Sequence, residues 1–170
     1  MNLIASFPPV IDANATTLVL GSAPGKESLR QQKYYAHPQN LFWSIALSTR
    51  EHKQVPYAEK LLLLHRKKVA LWDVLKQCER PGSLDSSIVS HTEYANNIVD
   101  LLQDYPSLNK ICFNGQKAFQ LFKKHILKQH VTFLADYPIT ILPSTSPANA
   151  AISRDVKSQQ WTQAVWEKAS

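Results

Sequence analysis

Short apolar runs alternate with helical segments along this chain, and this pattern limits the folds that it can adopt. Four runs have the length of buried strands: Leu18–Leu20, Val69–Trp72, Ile111–Phe113 and Ile139–Leu142. Helical patterns lie between them and after the last one. Strands separated by helices of this length indicate parallel β-α-β units with helices on both faces of one sheet. The sequence therefore predicts an α/β fold.

Local signals place the helices between these strands. Asn40 has the character of a helix cap, and Pro56 fits the first turn of the next helix. Ser90–Glu93 has the spacing of a capping box before a helix through about Gln103. The last helix carries its apolar face on Trp161, Val165 and Trp166.

Length and charge narrow the class of protein. A chain of 170 residues predicts one domain over residues 1–170, and a composition that is 44% hydrophobic and 19% charged supports a packed core. The net charge of +6 fits a polyanion as partner. The N-terminus does not have the pattern of a signal peptide, and no apolar run approaches a membrane span. We therefore expect a soluble, cytoplasmic protein.

The cysteine content excludes several kinds of site. Cys78 and Cys112 are the only two cysteines, which rules out a disulfide framework and a four-cysteine metal or iron–sulfur site within one chain. The spacing of His and Cys does not match zinc, so we expect no metal. We expect both thiols to be reduced.

Ligands of parallel sheets bind at the carboxyl ends of the strands, which directs attention to the loops that follow them. In the first loop, Gly21–Lys26, backbone N–H groups and Lys26 suit a phosphate, although an ordinary turn is the alternative. The second element, Tyr34–Trp43, combines aromatic rings that can stack a nucleobase with the amide of Asn40. Here the alternatives are that Asn40 only caps a helix and His37 only bonds the loop backbone.

Three further loops follow the other strands. Leu142–Ala150 is rich in hydroxyl groups and suits phosphate oxygens, or it is a proline-rich loop that ends in a cap. Asn114–Gly115 follows the third strand and is either a ligand-binding loop or a tight turn in which the backbone of Asn114 is left-handed. Gln77–Ser90 follows the second strand and is a fourth candidate.

Taken in order, these segments resemble the uracil-DNA glycosylase superfamily. The motifs are Gly21-Ser-Ala-Pro-Gly25, Tyr35-Ala-His-Pro-Gln-Asn-Leu-Phe-Trp43, Arg80-Pro-Gly-Ser-Leu-Asp-Ser-Ser87, Phe113-Asn-Gly115 and Leu142-Pro-Ser-Thr-Ser-Pro-Ala-Asn149. The resemblance is closest to the hypoxanthine-DNA glycosylase branch, near the mismatch-specific uracil glycosylases, and covers residues 17–150. It implies a three-layer α/β/α sandwich with a four-stranded, mainly parallel sheet. It also implies a monofunctional glycosylase that needs no metal or cofactor and extrudes a damaged base from duplex DNA.

The resemblance assigns roles to individual residues. Many members carry Asn, Asp or Glu at the third position of the first motif, where this chain has Ala23, which cannot orient water. The amide of the His-Pro-x-Asn element, Asn40, is therefore the expected catalytic residue. The expected base pocket comprises Gly21, Ser22, Ala23, Pro24, Tyr35, His37 and Asn114, with Tyr35 stacked on the flipped base. The expected DNA contacts are Lys26, Ser28, Ser144, Thr145, Ser146, Pro147, Ala148 and Asn149.

The combination of Ala23 with Asn40 favours hypoxanthine as the substrate, and uracil is the alternative. Phosphate contacts carry no sequence information, so selectivity is expected from a small, nearly uncharged pocket. We expect a monomer acting on double-stranded DNA with a damaged or mismatched base, associated with the nucleoid when bound. Two alternatives remain open at this point: a catalytically weak or inactive member that binds damaged DNA or a nucleotide, and a flavodoxin-like protein.

Overall fold

A computed structural model of the protein describes residues 3–82 and 84–167. Its central feature is a four-stranded sheet built from β2 (Thr17–Gly21), β3 (Val69–Asp73), β6 (Lys110–Asn114) and β7 (Ile139–Leu142). The strand order is β3-β2-β6-β7, and every pair in this sheet is parallel. The four apolar runs thus form the four strands of the predicted sheet.

Alternating side chains of the strands divide the core into two halves, one on each face of the sheet. Leu18 and Leu20 face one half, whereas Val19 faces the other. In β6, Phe113 and Cys112 divide in the same way. All five of these side chains are completely buried, because helices cover both faces. This arrangement is the predicted α/β/α sandwich.

The helices fall into two layers. One core half contains residues of α2 (Phe42–Ala46), α3 (Tyr57–Arg66) and α7 (Arg154–Trp161). The other contains residues of α4 (Ile98–Asp104), α5 (Gln116–His125) and α6 (Val131–Leu134). The remaining helix, α1 (Lys26–Gln31), follows the first loop, and a π-helical turn, Thr162–Trp166, extends α7. Trp161, Val165 and Trp166 are buried as predicted. No helix in the described ranges is long and apolar enough to span a membrane.

A second, antiparallel sheet was not predicted. It consists of β1 (Leu3–Ala5), β4 (Leu75–Glu79) and β5 (Tyr94–Ala95), in the order β1-β4-β5. β4 buries Leu75 and Cys78, three residues apart, and its register with β5 shifts between Leu75 and Gln77. Its strands are short and far apart in the sequence, so their pairing leaves no local signal. The sheet fixes the start of the loop that follows Glu79.

One local prediction was wrong, and one of the alternatives is excluded. The capping-box segment does not begin a helix: Ser90–Thr92 forms a 3-10 turn, and α4 starts only at Ile98. The side chain of Glu93 instead bonds Lys124 and His125, because packing against α5 outweighs the local cap. Asn114 is a strand residue, and the left-handed backbone belongs to Gly115, whose φ is 95°.

Gly115 lets the backbone turn from β6 into α5 against the loop after β7. A Cβ atom at this position would lie 3.1 Å from Cβ of Ser144. We predict that Gly115→Ala lowers the free energy of unfolding by about 1–3 kcal/mol, because it adds a left-handed alanine and a close contact. Urea unfolding measures this difference.

Gly25→Ala is the matched control. A Cβ atom on Gly25 has no atom within 4 Å, and its φ is −77°. Its unfolding free energy should stay within about 0.5 kcal/mol of the wild type. Equal stability of the two variants would contradict the role assigned to Gly115.

Candidate active site

The carboxyl ends of the parallel strands open into one cleft of about 970 Å³. This volume lies in the range of small-molecule sites, roughly 300–1,000 Å³. The cleft is lined by all the site residues that the sequence predicted: Gly21, Ser22, Ala23, Pro24, Lys26, Ser28, Tyr35, His37, Asn40, Asn114, Ser144, Thr145, Ser146, Pro147, Ala148 and Asn149. The sheet thus brings together segments that are more than one hundred residues apart in the chain.

Gly21 is required by close packing at the base of this cleft. A Cβ atom on Gly21 would lie 2.7 Å from Oδ1 of Asp73 and 3.2 Å from the hydroxyl of Tyr35. A contact of 2.7 Å is far inside van der Waals distance, so any larger residue would displace the Asp73 carboxyl. The glycine therefore allows a carboxyl group and a phenol to meet beside the end of β2.

Asn40 lies at the cleft wall and also holds the start of α2. Its Oδ1 accepts a hydrogen bond from the backbone N–H of Phe42 at 2.9 Å. Its Nδ2 donates to no acceptor in the described residues, so one half of the amide is anchored and the other half is available to a ligand. The N-cap of α2 is Leu41, so the predicted cap at Asn40 is wrong: Asn40 precedes the cap and forms a side-chain turn onto Phe42 while it lines the cleft. His37 also lines the cleft, and its Nδ1 accepts from the N–H of Gln39 at 3.1 Å.

The ring of Tyr35 is held from one side by aromatic packing. It stacks on Phe42 with the ring centroids 4.2 Å apart and the planes 23° apart. Its backbone has a left-handed φ of 53°, and its hydroxyl is buried. Burial and the Asp73 carboxylate raise the pKa of Tyr35 above its ordinary value, so the phenol keeps its proton at neutral pH. The neighbouring Tyr34 carbonyl accepts from Nε1 of Trp43, which fixes this segment.

Asn114 and Thr145 form a buried pair between β6 and the loop after β7. Nδ2 of Asn114 donates to Oγ1 of Thr145 at 3.0 Å, and the Thr145 backbone N–H donates to Oδ1 of Asn114 at 2.9 Å. Thr145 is completely buried, so its side chain faces Asn114 and not the molecular surface. Two satisfied hydrogen bonds of about 1 kcal/mol each hold the loop on the strand end.

The rest of that loop is braced by its own side chains. Oγ of Ser144 accepts from the N–H of Ser146, and Oγ of Ser146 accepts from the N–H of Ala148. Nζ of Lys157 donates to the Asn149 carbonyl at 2.6 Å. Pro147 and Ala148 are exposed at the tip. These hydrogen bonds hold the loop in shape beside the cleft, with its tip exposed.

The loop after β4 packs over the first motif. The guanidinium of Arg80 donates to the Pro24 carbonyl and lies 3.6 Å from Oδ1 of Asp85. Oγ of Ser22 donates to the same Asp85 oxygen at 2.5 Å. This loop contributes Arg80, Leu84, Asp85 and Ser86 to the cleft wall, so the fourth loop candidate does belong to the site.

The two candidate DNA contacts near α1 differ in exposure. Lys26 is exposed at the cleft edge. Ser28 is buried, and its Oγ accepts from the N–H of Ala36 at 3.1 Å. Ser28 therefore links α1 to the aromatic segment that carries Tyr35.

The expectation of a small, nearly uncharged pocket is wrong. The lining of the cleft includes the titratable carboxyl of Asp73 and the charged residues Lys26, Glu27, Arg80, Asp85 and Lys117. Asp73 was missed by sequence reasoning, although it ends the apolar run Val69–Asp73 at the edge where ligands bind parallel sheets. Its position after that run was the available signal. Only 4% of Asp73 is exposed, and burial raises the pKa of its carboxyl to about 7, assisted by Asp85 and opposed by Arg80.

Comparisons with known proteins agree with this geometry. The family model of the uracil DNA glycosylase superfamily matches residues 8–170. Two curated relatives bear the name hypoxanthine DNA glycosylase. The protein of Methanosarcina acetivorans is 38% identical over 90% of this chain and 92% of its own length. The protein of Methanosarcina barkeri is 35% identical over 93% of this chain and 95% of its own length. The solution NMR structure of a candidate uracil DNA glycosylase from Methanosarcina acetivorans has a TM-score of 0.76, with 34% identity and 96% of each chain covered.

The raised pKa of Asp73 predicts a pH-dependent cost to stability. The native carboxyl holds its proton up to about pH 7, whereas an unfolded aspartate releases it near its ordinary value of 3.8. Stability therefore falls as the pH rises from about 4 to 7 and stays reduced above that window. Asp73→Asn removes this cost, so its unfolding free energy should exceed that of the wild type at pH 8 by about 2–4 kcal/mol and match it near pH 4. Urea unfolding at the two pH values measures the difference.

Asp136→Asn is the matched control, because Asp136 is exposed. The same neutralisation there should leave the difference between the two pH values unchanged. A stability gain of Asp73→Asn that is equal at both pH values would contradict the raised pKa.

Proposed function

Because this chain belongs to the uracil DNA glycosylase superfamily, we propose that it is a monofunctional DNA glycosylase that excises hypoxanthine. The observation that carries the proposal is the convergence of Asn40, Tyr35 and Asn114 on one cleft beside the first motif. The enzyme flips a deaminated nucleotide out of the duplex and hydrolyses its N-glycosidic bond. Residues 1–170 act as one glycosylase domain.

In this proposal Asn40 positions the attacking water. Its Oδ1 is fixed by the Phe42 amide, so the plane of the side-chain amide is set before substrate binds. The amide is not a strong base, and its contribution is orientation together with stabilisation of a cationic sugar. Ala23 leaves space in the first motif and takes no part in handling water.

Tyr35 and the first motif receive the base. One face of the Tyr35 ring is covered by Phe42, and the flipped base stacks on the ring from the cleft. The backbone carbonyls of Gly21 and Ser22 already accept hydrogen bonds from the backbone N–H groups of Val74 and Leu75. The base is therefore recognised by the shape of the pocket and by amide groups. The amide of Asn114 faces the same cleft and reads the base edge while it remains bonded to Thr145.

The rim of the cleft contacts the DNA backbone. Lys26 and the hydroxyl-rich loop Ser144–Asn149 lie beside the cavity, and the chain carries a net charge of +6. Such contacts supply affinity that falls with salt and carries no sequence information. The substrate in this proposal is double-stranded DNA with a damaged or mismatched base, bound by a monomer in the cytoplasm at the nucleoid.

Panels of labelled duplexes test the substrate. We predict release of hypoxanthine in preference to uracil, xanthine or mismatched thymine, because Ala23 leaves room for a purine beside Asn40. The measurement is the rate of strand cleavage at the abasic product after alkali treatment. Duplexes without a lesion are the control, and no release from any of the four lesions would exclude the glycosylase.

Variants of Asn40 separate catalysis from the hydrogen bond that Asn40 accepts from the Phe42 amide. Asn40→Ser keeps a side-chain acceptor for the Phe42 amide but loses the carboxamide, so unfolding free energy should stay within about 0.5 kcal/mol of the wild type. Excision should fall by about 100-fold or more, because the positioned dipole is lost. Affinity for the lesion duplex should be retained in a gel-shift assay.

Asn40→Ala provides the comparison, because it also loses the hydrogen bond from the Phe42 amide at a cost of about 1 kcal/mol. It should match Asn40→Ser in activity and fall below it in stability. Wild-type excision by Asn40→Ser would show that Asn40 acts only through its hydrogen bond with Phe42.

A further inference from the structure

Asp73 occupies a position that the roles above do not explain. It ends β3 at the base of the cleft, with only 4% of its surface exposed. Its Oδ1 and the Tyr35 hydroxyl both lie close to the position that a Cβ atom would occupy on Gly21. Within residues 3–82 and 84–167, the carboxyl makes no ion pair and its oxygens make no hydrogen bond. A buried carboxyl without partners costs free energy, which is typical of functional positions.

The surrounding groups keep this carboxyl protonated near neutrality. Burial is the main cause of its raised pKa, and Asp85 adds a like charge. Arg80 acts in the opposite direction, but its guanidinium is directed to the Pro24 carbonyl and to Asp85. The other titratable groups that interact with Asp73 are Tyr34, Tyr35 and Cys78, and burial raises the pKa of all three, so none of them carries charge at pH 7.

Departure of a purine is accelerated by a proton, which Asn40 cannot supply. When the bond from N9 to C1′ breaks, its electron pair moves into the purine ring, and the base leaves as an anion unless a ring nitrogen is protonated. N7 belongs to the same five-membered ring and accepts hydrogen bonds. A carboxyl with a pKa near the working pH is suited to such a transfer.

We propose that Asp73 is the general acid that protonates N7 of the departing purine, an inference that rests on the proposed excision of hypoxanthine. The bond from N9 to C1′ breaks, its electron pair enters the ring, and the Asp73 proton moves to N7, so that hypoxanthine leaves as a neutral tautomer. The water oxygen held by Asn40 bonds to C1′ and loses a proton to solvent. The Asp73 carboxylate then regains a proton from solvent.

The pH dependence of single-turnover excision tests the acid. The wild-type rate on a hypoxanthine duplex should decline above about pH 7, as Asp73 loses its proton. Asp73→Asn should be about 100-fold slower or more at pH 6 and should lack this decline, since its amide does not titrate. Asp136→Asn should match the wild type. Rates of Asp73→Asn within about threefold of the wild type would overturn the proposal.

Asp85 allows a second test, because a purely structural role for Asp73 would not make the pH dependence of the rate respond to a change at Asp85. Asp85→Asn removes the like charge that raises the pKa of Asp73. The decline in rate should therefore begin at lower pH in this variant. An unchanged decline in Asp85→Asn would assign the titration to another group and overturn the proposal.

Removal of the acceptor atom from the substrate tests the site of protonation. The wild type should excise 7-deazahypoxanthine about 100-fold more slowly than hypoxanthine, because N7 is absent. On this substrate Asp73→Asn should cause no further loss. Equal losses on both substrates would place the Asp73 interaction elsewhere on the base and overturn the proposal.

Two controls separate this proposal from the glycosylase assignment. Gel shifts on a duplex with an abasic-site analogue should give equal affinity for wild type and Asp73→Asn, which shows an intact fold. If the wild type releases hypoxanthine and Asp73→Asn is equally fast, only the acid is excluded. If the wild type releases no base, the proposed function fails and the acid with it.

Discussion

Parallel hydrogen bonding on both sides of β2 organises the rest of this protein. β2 pairs with β3 on one side and β6 on the other, and its register sets Gly21 opposite Asp73. β7 continues the sheet and sets Leu142 opposite Asn114. Because the strands run in one direction, all four carboxyl ends meet at the same edge. The loops that leave this edge form the walls of the cleft, so the pairing of the strands decides which residues share the site.

The walls are held by contacts between distant segments. Asn114 bonds the loop after β7 through Thr145, and the Arg80–Asp85 loop is bonded to the first motif through Ser22 and Pro24. These links are largely buried, where an unmade hydrogen bond costs about 1–3 kcal/mol. The site is therefore ordered before any ligand binds, which lowers the entropy cost of orienting a substrate.

The charges of the protein are divided between two tasks. Basic residues on the surface give a net charge of +6, which suits a polyanion and acts over the Debye length. Inside the cleft, Asp73 is buried at the end of a strand and lacks an ion-pair partner among the described residues. The free energy that its burial costs is small compared with the gain from burying the two core halves, and in the proposed reaction this carboxyl provides the proton. Cys78 and Cys112 are both buried and unpaired by disulfide, and they contribute only to packing.

The four strands, the two-sided burial of the sheet and the loops that line the cleft follow from the amino-acid sequence, because apolar periodicity and strand-end motifs are local signals. The same short motifs predicted that Asn40, Tyr35 and Asn114 share one site, and all three line the cleft. Features that depend on pairing between distant segments appear only in the folded chain: the antiparallel sheet, the late start of α4 and the position of Glu93 against α5. The same holds for Asp73, which reads locally as the polar end of a strand. Its burial and raised pKa arise from Gly21, Tyr35 and Asp85, which are distant in the chain and become neighbours only when the sheet assembles.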